Sequence, residues 1–323
     1  MAVEVLSWND PGTRERWTAL DRSSVLASPQ TSSEYLSALS EATGLDLEAT
    51  FVVTDGVDVA GLSILVTNVG PFRRILPSPL TSFCALNALS LPTEAQIHAN
   101  SSWLDELFEV TGKRNSTVDL MLPPAIQDVR AAQWRGWSTS PLYTYTLPLD
   151  ESGELVWSEG TRRTFNKHRS SFILRSDKND ASSVLELWRG GYERNTRTPP
   201  LNSTTVASMT GSLLDDGIAE CWSVSSDSGG APDAGIILLT GRETAVYWLA
   251  GSKPGPAMTV LIGLLSGPLR AAGMMRMDFV GANTRNIAEF KRRFNPELET
   301  YYRVRYTRNR ILRLIQSVIQ SIR

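Results

Sequence analysis

Histidine and cysteine are nearly missing from this chain, with two of each in 323 residues. His98, His168, Cys84 and Cys221 are too few and too scattered to hold a metal, which needs three or four ligands at short spacing. The same scarcity rules out a disulfide framework; two distant thiols suit free, buried cysteines in a reducing compartment. Long apolar runs are absent as well. Gly, Ser or a charged residue interrupts each one before the ~18 residues a membrane helix requires. The opening residues, MAVEVLSWNDPGTRERW, have no basic stretch leading into an apolar one, so no secretory leader is expected. A cytoplasmic location follows as the expectation, and the sequons at Asn100, Asn115 and Asn202 carry no weight. No G-x-S-x-G elbow, Walker A loop or G-x-G-x-x-G fingerprint occurs, so nucleophile-elbow hydrolysis and the familiar nucleotide folds have no support.

What the chain does have is an ordinary globular composition, 41% hydrophobic and 20% charged, at a length that suits two domains. The net charge of −2 hides an asymmetry. Residues 1–150 hold 9 basic and 17 acidic side chains, and residues 151–323 hold 23 and 17. A basic half suits an anionic partner, whether phosphate, pyrophosphate or RNA; it equally suits an interface with the acidic half.

Periodicity gives the elements. Helices are expected over Thr13–Ser23 and Ser32–Thr43, then strands LEATFVVT and VAGLSILVT around an Asp55-Gly56 turn, and an irregular Pro71–Pro79 stretch. A helix near Trp103–Val110 and strands STVDLML and LYTYTLPL complete the first half. An acidic, Gly-containing turn near Asp150 marks a boundary, followed by the basic helix TRRTFNKHRSS with Arg162, Arg163, Lys167 and Arg169. Helices Ser182–Asn195 and Ser203–Asp216 then lead into three strands, a helix, a strand, a helix and a strand. The two halves share an element order without any residue-level repeat. The last segment, RNRILRLIQSVIQSIR, carries Ile311, Leu312, Ile315, Val318, Ile319 and Ile322 on one stripe. Such a helix could touch an anionic membrane surface or dock back on the protein.

The most informative text is YWLAGS, a Gly/Pro loop, the helix AMTVLIGLLSGPLRAAG, the DFVGANT turn and the helix IAEFKRRF. These resemble the C-terminal domain of the FemABX peptidoglycan-bridge aminoacyltransferases and the related BioF2-like (CelD-type) acetyltransferases of the GNAT superfamily. The resemblance implies tandem GNAT-like α/β domains with mixed sheets flanked by helices: residues 1–150, residues 151–307, and a docking helix over 308–323. It implies acyl or aminoacyl transfer to an amine, with no tightly bound cofactor. The donor would be aminoacyl-tRNA or acetyl-CoA, and the amine acceptor could be a cell-wall precursor.

Individual residues follow from that resemblance. Lys291, in the F-K pair with Phe290, would stabilise charge at the transferring carbonyl; read alone, it belongs to a solvated K-R-R face. Asp278 would hold the amine or take its proton, or it caps a turn. GNAT folds cradle pyrophosphate on an R/Q-x-x-G-x-G/A loop, and the matching text is Ser252-Lys253-Pro254-Gly255-Pro256-Ala257. Ser252 replaces the Arg or Gln, and two prolines remove N–H donors, which weighs against acetyl-CoA. Arg194 and Arg197 could meet an anionic group. Tyr247 and Trp248 would face opposite sides of their strand, with Tyr247 either lining the acceptor cleft or packed in the core, and Phe290 either lines that cleft or shares a core face with Ile287 and Phe294. Asn283 and Thr284 read as a helix cap. The lost pyrophosphate donors also leave open a catalytically lapsed binding protein.

Overall fold

The computed structural model describes residues 1–149, 157–226 and 230–308. Two compact units emerge. Met1–Leu36 and Gly44–Leu142, with the chain from Thr300, form the first; Ser37–Thr43 and Tyr143–Glu299 form the second. The units part at Leu142 and Tyr143, where the sequence placed a boundary near Asp150. The final described strand crosses it, however, because most of its residues belong to the first unit. Of the segment 308–323, expected as a docking helix, residues 309–323 lie outside the described residues.

Along the first half run β1 (Ala2–Ser7), α1 (Pro11–Ser23), α2 (Ser33–Thr43), β2 (Asp46–Thr54), β3 (Val57–Val69), β4 (Phe72–Ile75), β5 (Ala85–Ala88), α3 (Glu94–His98), α4 (Trp103–Arg114), β6 (Thr117–Met121) and α5 (Arg130–Gln133). The helices begin where their sequences demand. The Asp10 side chain accepts from Gly12 N–H at 2.9 Å with Pro11 at the first turn, and Ser102 with Asp105 forms a capping box. Asp55 and Gly56, at φ 51° and 78°, make the tight turn between β2 and β3. The expected Pro71–Pro79 irregular stretch instead contains β4, which completes a hairpin with β3 and pairs in parallel with β6. The core gathers Leu62, Ile64, Leu104, Leu107, Phe108, Val118 and Trp137.

The second half adds β7 (Ser138–Pro148), α6 (Glu159–His168), β8 (Ile173–Ser176), α7 (Ala181–Arg194), α8 (Ser203–Asp215), β9 (Ala219–Ser225), β10 (Ala234–Thr240), β11 (Thr244–Ser252), α9 (Ala257–Ala271), β12 (Arg276–Asp278), α10 (Arg285–Arg292) and β13 (Glu297–Thr307). In the second unit the strands run β7-β12-β11-β10-β9-β8, and β11 with β12 is the parallel pair among antiparallel neighbours. β13 returns to the first unit, where Arg303–Thr307 pairs antiparallel with β6.

Three glycines set how helices pack in the second unit. Gly235 and Gly251 face each other across β10 and β11. A Cβ on Gly235 would meet Val184 Cγ2 at 2.2 Å, and one on Gly251 would meet the Leu187 carbonyl carbon at 2.2 Å. Both positions lie under α7, which can rest on the sheet only because they carry no side chain. On α9, Gly263 admits α6 in the same way, with Phe165 within 2.4 Å of the position a Cβ would take.

Candidate functional site: a cavity where two strands part

β11 and β12 pair only over Thr244–Val246, opposite Arg276–Asp278. Past Asp278 the chain follows β7 instead. Phe279 N–H donates to the Tyr145 carbonyl and Ala282 N–H to the Tyr143 carbonyl, both at 2.8 Å. Asn283 extends this contact, its side chain accepting from Tyr143 N–H at 2.9 Å and donating to the Tyr143 carbonyl at 3.0 Å. Asn283 thus fastens the turn to β7, and Thr284, at the start of α10, makes no side-chain capping bond. β11 runs on to Ser252 with β12 diverging from it.

A bulge lies at the point of divergence. Ile237 faces Leu249 and Leu238 faces Tyr247, leaving Trp248 as the extra residue. Bulges re-aim side chains. Tyr247 packs with Met258 and Phe279 on the α9 side, and Tyr247 and Trp248 both border one cavity of about 630 Å³. Trp188, Tyr192, Asn195 and Arg197 from α7 and its exit form another wall. Phe279, Val280, Ile287, Phe290 and Lys291 complete it. This size and apolar lining suit a small organic molecule.

Lys291 is only 7% exposed, so the expected solvated K-R-R face does not hold for it. Its ammonium donates to three successive carbonyls, those of Phe279 at 2.6 Å, Val280, and Gly281 at 3.1 Å. An ammonium has three protons, and these contacts occupy all three. The carbonyls converge because Val280 and Gly281 hold φ 55° and 67°, a conformation that strains a β-branched residue. Burial brings Lys291 down to about 8, against the upward pull of the Asp278 charge.

Asp278 is buried and does not line the cavity. One of its oxygens accepts from Val280 N–H and from the Thr144 hydroxyl, each at 2.8 Å. Burial raises its pKa, and those hydrogen bonds and Lys291 oppose the rise. The Tyr247 hydroxyl donates to Met258 Sδ at 3.3 Å, and burial pushes its pKa up. The Tyr247 ring meets the edge of Phe279 at 5.7 Å and lies 5.7 Å from Lys291 Nζ.

The structure brings Lys291, Arg197, Tyr247 and Phe290 to this cavity and places the other predicted residues elsewhere. Arg194 donates to the Ser252 carbonyl at 2.8 Å, tying the end of α7 to the end of β11. Lys253 pairs with Asp233 at 2.8 Å. Ala257 is buried at the start of α9. Gly255, at φ 132°, borders a second cavity of about 670 Å³, with Thr161 and His168 of α6, Thr259 of α9, and Arg293. Phe290 lines both cavities.

Sequence reasoning missed Trp188 and Tyr192, whose rings meet edge to face at 5.0 Å. Their i, i+4 spacing reads as a core stripe, which half of it is: Trp188 is buried while Tyr192 is not. Thr196 was also silent. It holds φ 51° where α7 ends, and the Thr196 and Arg197 N–H groups donate back to the Glu193 and Tyr192 carbonyls at 3.0 Å. This is a Schellman-type ending with a β-branched residue where glycine is usual.

No family model and no curated protein matches the sequence. Solved structures do share its fold. FemX aligns over 94% of this chain and 97% of its own with a TM-score of 0.70 at 12% identity. The C-terminal domain of a lysylphosphatidylglycerol synthetase from Agrobacterium fabrum aligns over 95% and 96%, with a TM-score of 0.57 at 14% identity. A tandem GNAT protein from the clavulanic acid biosynthesis pathway aligns over 95% and 99%, at 0.53 and 13%. The fold is therefore the tandem GNAT-like fold, resembling that of FemX.

Proposed function

We propose that this protein transfers an acyl or aminoacyl group to an amine, with the acceptor in the cavity where β11 and β12 part. The observation that carries the reading is that opening itself. A bulged strand and a diverging parallel neighbour border the first cavity, the start of α9 borders the second, and Phe290 lines both. The donor would occupy the second cavity, beside Gly255 and Thr259, and the acceptor the first.

The chemistry requires an amine without its proton, held against a thioester or ester carbonyl. The nitrogen attacks the carbonyl carbon to form an oxyanion, the C=O re-forms as the C–S or C–O bond to the carrier breaks, and the proton the nitrogen gives up leaves on the carrier's sulfur or oxygen. Lys291 contributes a buried positive charge rather than a hydrogen bond to that oxyanion, because its protons are held by backbone carbonyls. Asp278 acts at one remove, by fixing the Val280 N–H and balancing Lys291. Pro254 and Pro256 remove N–H donors from the loop before α9, which favours aminoacyl-tRNA over an acyl-CoA. The resemblance of the YWLAGS-to-IAEFKRRF text to the FemABX family points to cell-envelope or polysaccharide metabolism.

Calorimetric titration with acetyl-CoA and, separately, with aminoacyl-tRNA tests the donor. Mass spectrometry of an amine panel incubated with whichever one binds tests the transfer. Binding of aminoacyl-tRNA with appearance of an acylated amine is the expected result. Micromolar binding of acetyl-CoA would reverse the donor assignment. The engagement of Lys291, Lys253 and Arg194 within the protein favours a second reading, a ligand-binding protein without turnover. Ligand binding with no transfer from either donor would support it.

A further inference from the structure

We infer that the cavity beside β11 takes a small aromatic molecule bearing a carboxylate or phosphate, its ring among the aromatic side chains and its anionic group on Arg197. That this ligand is the acceptor rests on the acyl-transfer reading; that the cavity binds it does not.

Among the residues lining the cavity there is no Asp or Glu, and the charged side chains are Lys291 and Arg197. The protons of Lys291 are held by three carbonyls, so it contributes field without offering a donor. Arg197 differs. It is exposed at the rim, and its side-chain hydrogen bond to the Thr284 hydroxyl is a long one, 3.5 Å. A guanidinium fork so placed suits a carboxylate or phosphate. Its backbone is held by the Schellman-type ending of α7 at the cost of a left-handed Thr196, so the position of the rim charge is set by the fold.

Shape supplies the ring. Trp188 and Tyr192 stand on one wall, and Tyr247 and Phe279 on others. Aromatic faces prefer edge or offset contact with another ring. Such a box could instead hold a quaternary ammonium. Two positive charges and no carboxylate in the lining oppose that cation and favour an anion. Under acyl transfer, the ligand is an aromatic amine that also carries a carboxylate or phosphate, of which an aromatic amino acid is the simplest.

Calorimetry on the full chain with phenylacetate, phenyl phosphate, phenethylamine and cyclohexylacetate tests the assignment. At least one aromatic anion should bind with Kd below about 1 mM. Phenethylamine and cyclohexylacetate should be at least about tenfold weaker. Phenylacetate and phenyl phosphate together tell which anionic group Arg197 prefers. Arg197→Gln, an exposed change that circular dichroism should show to be folded, should weaken the anion about tenfold or more and make phenethylamine no weaker. Arg197→Lys should recover part of the loss. Phenethylamine binding as well as the anions, an Arg197→Gln variant with unaltered affinities, or absence of binding by both aromatic anions would each overturn the proposal. Failure of a bound aromatic amino acid to accept an acyl group would count against the acceptor role and leave the binding assignment standing.

Discussion

The Lys291 ammonium donates to the carbonyl of Val280, a β-branched residue held at φ 55° in the turn after β12. The strained turn and the buried cation therefore sustain each other. Replacing Lys291 with Met, similar in length and uncharged, removes three hydrogen bonds and leaves Asp278 without its counter-charge. We expect a loss of roughly 2 kcal/mol or more in chemical denaturation. Lys291→Arg should also lose stability, because a planar fork does not match three converging carbonyls. A solvated lysine would give neither effect, so an unchanged denaturation midpoint would refute the clamp.

The same pair sets a pH dependence. Lys291 titrates near 8 in the folded chain, below free lysine at ~10.4. Between those values the unfolded chain holds a proton that the folded chain has shed, so this contribution to stability rises with pH through that window. Below about pH 8 the burial cost is fully present. Asp278 is raised, so the folded state holds its proton more tightly, and that contribution falls as pH rises from ~3.9 to its folded value. Urea denaturation of wild type and Lys291→Met should therefore diverge in favour of the wild type between about pH 8 and 10.5, by up to ~3 kcal/mol. A difference that stays constant over this range would contradict the burial of the charge.

Much of this frame was legible because it rests on local pattern. The helices α1, α4, α7, α8 and α9 follow from apolar spacing and caps, and β10 and β11 from their apolar runs. Three things were not legible. β4, β5 and β8, of four residues each, are too short for periodicity to register. The bulge at Trp248 depends on the register of a partner strand, which no window of sequence contains. The burial of Lys291 depends on carbonyls ten to twelve residues away, brought round by two left-handed residues. A K-R-R run carries no sign that its first member points inward. The resemblance of F-K to a known family directed attention to the residue, while its contacts came from the turn.

Thr196 and Val280 are the β-branched residues at positive φ among those described, and they flank the same cavity. Strain of this kind costs on the order of 1 kcal/mol or more per residue. Thr196→Gly should therefore stabilise the protein by roughly 1 kcal/mol while loosening Arg197. Stability should rise in denaturant titrations as affinity for an aromatic anion falls. If Thr196→Gly destabilises the chain, the left-handed turn is held for packing rather than for the placement of Arg197.

Gly235 and Gly251 face each other under α7, yet they should answer differently to the same substitution. A methyl on Gly235 would strike the side chain of Val184, with Cγ1 and Cβ behind Cγ2 at 3.1 Å. A methyl on Gly251 would strike the backbone of Leu187 and Trp188 at 2.2 and 2.3 Å. Side chains can be trimmed and helix backbone cannot. Each single alanine should destabilise by roughly 2 kcal/mol or more, since overpacking of a close helix–sheet contact leaves no room for relaxation. Adding Val184→Ala should recover a measurable part of the loss at Gly235 and none at Gly251, a coupling that a double-mutant cycle reads directly. Because α7 carries Trp188 and Tyr192, the Gly251 variant should also lose binding in the cavity more severely than the repaired Gly235 variant. Equal rescue at both positions would mean that α7 shifts as a body, and that its seat on the sheet is not set by this glycine pair.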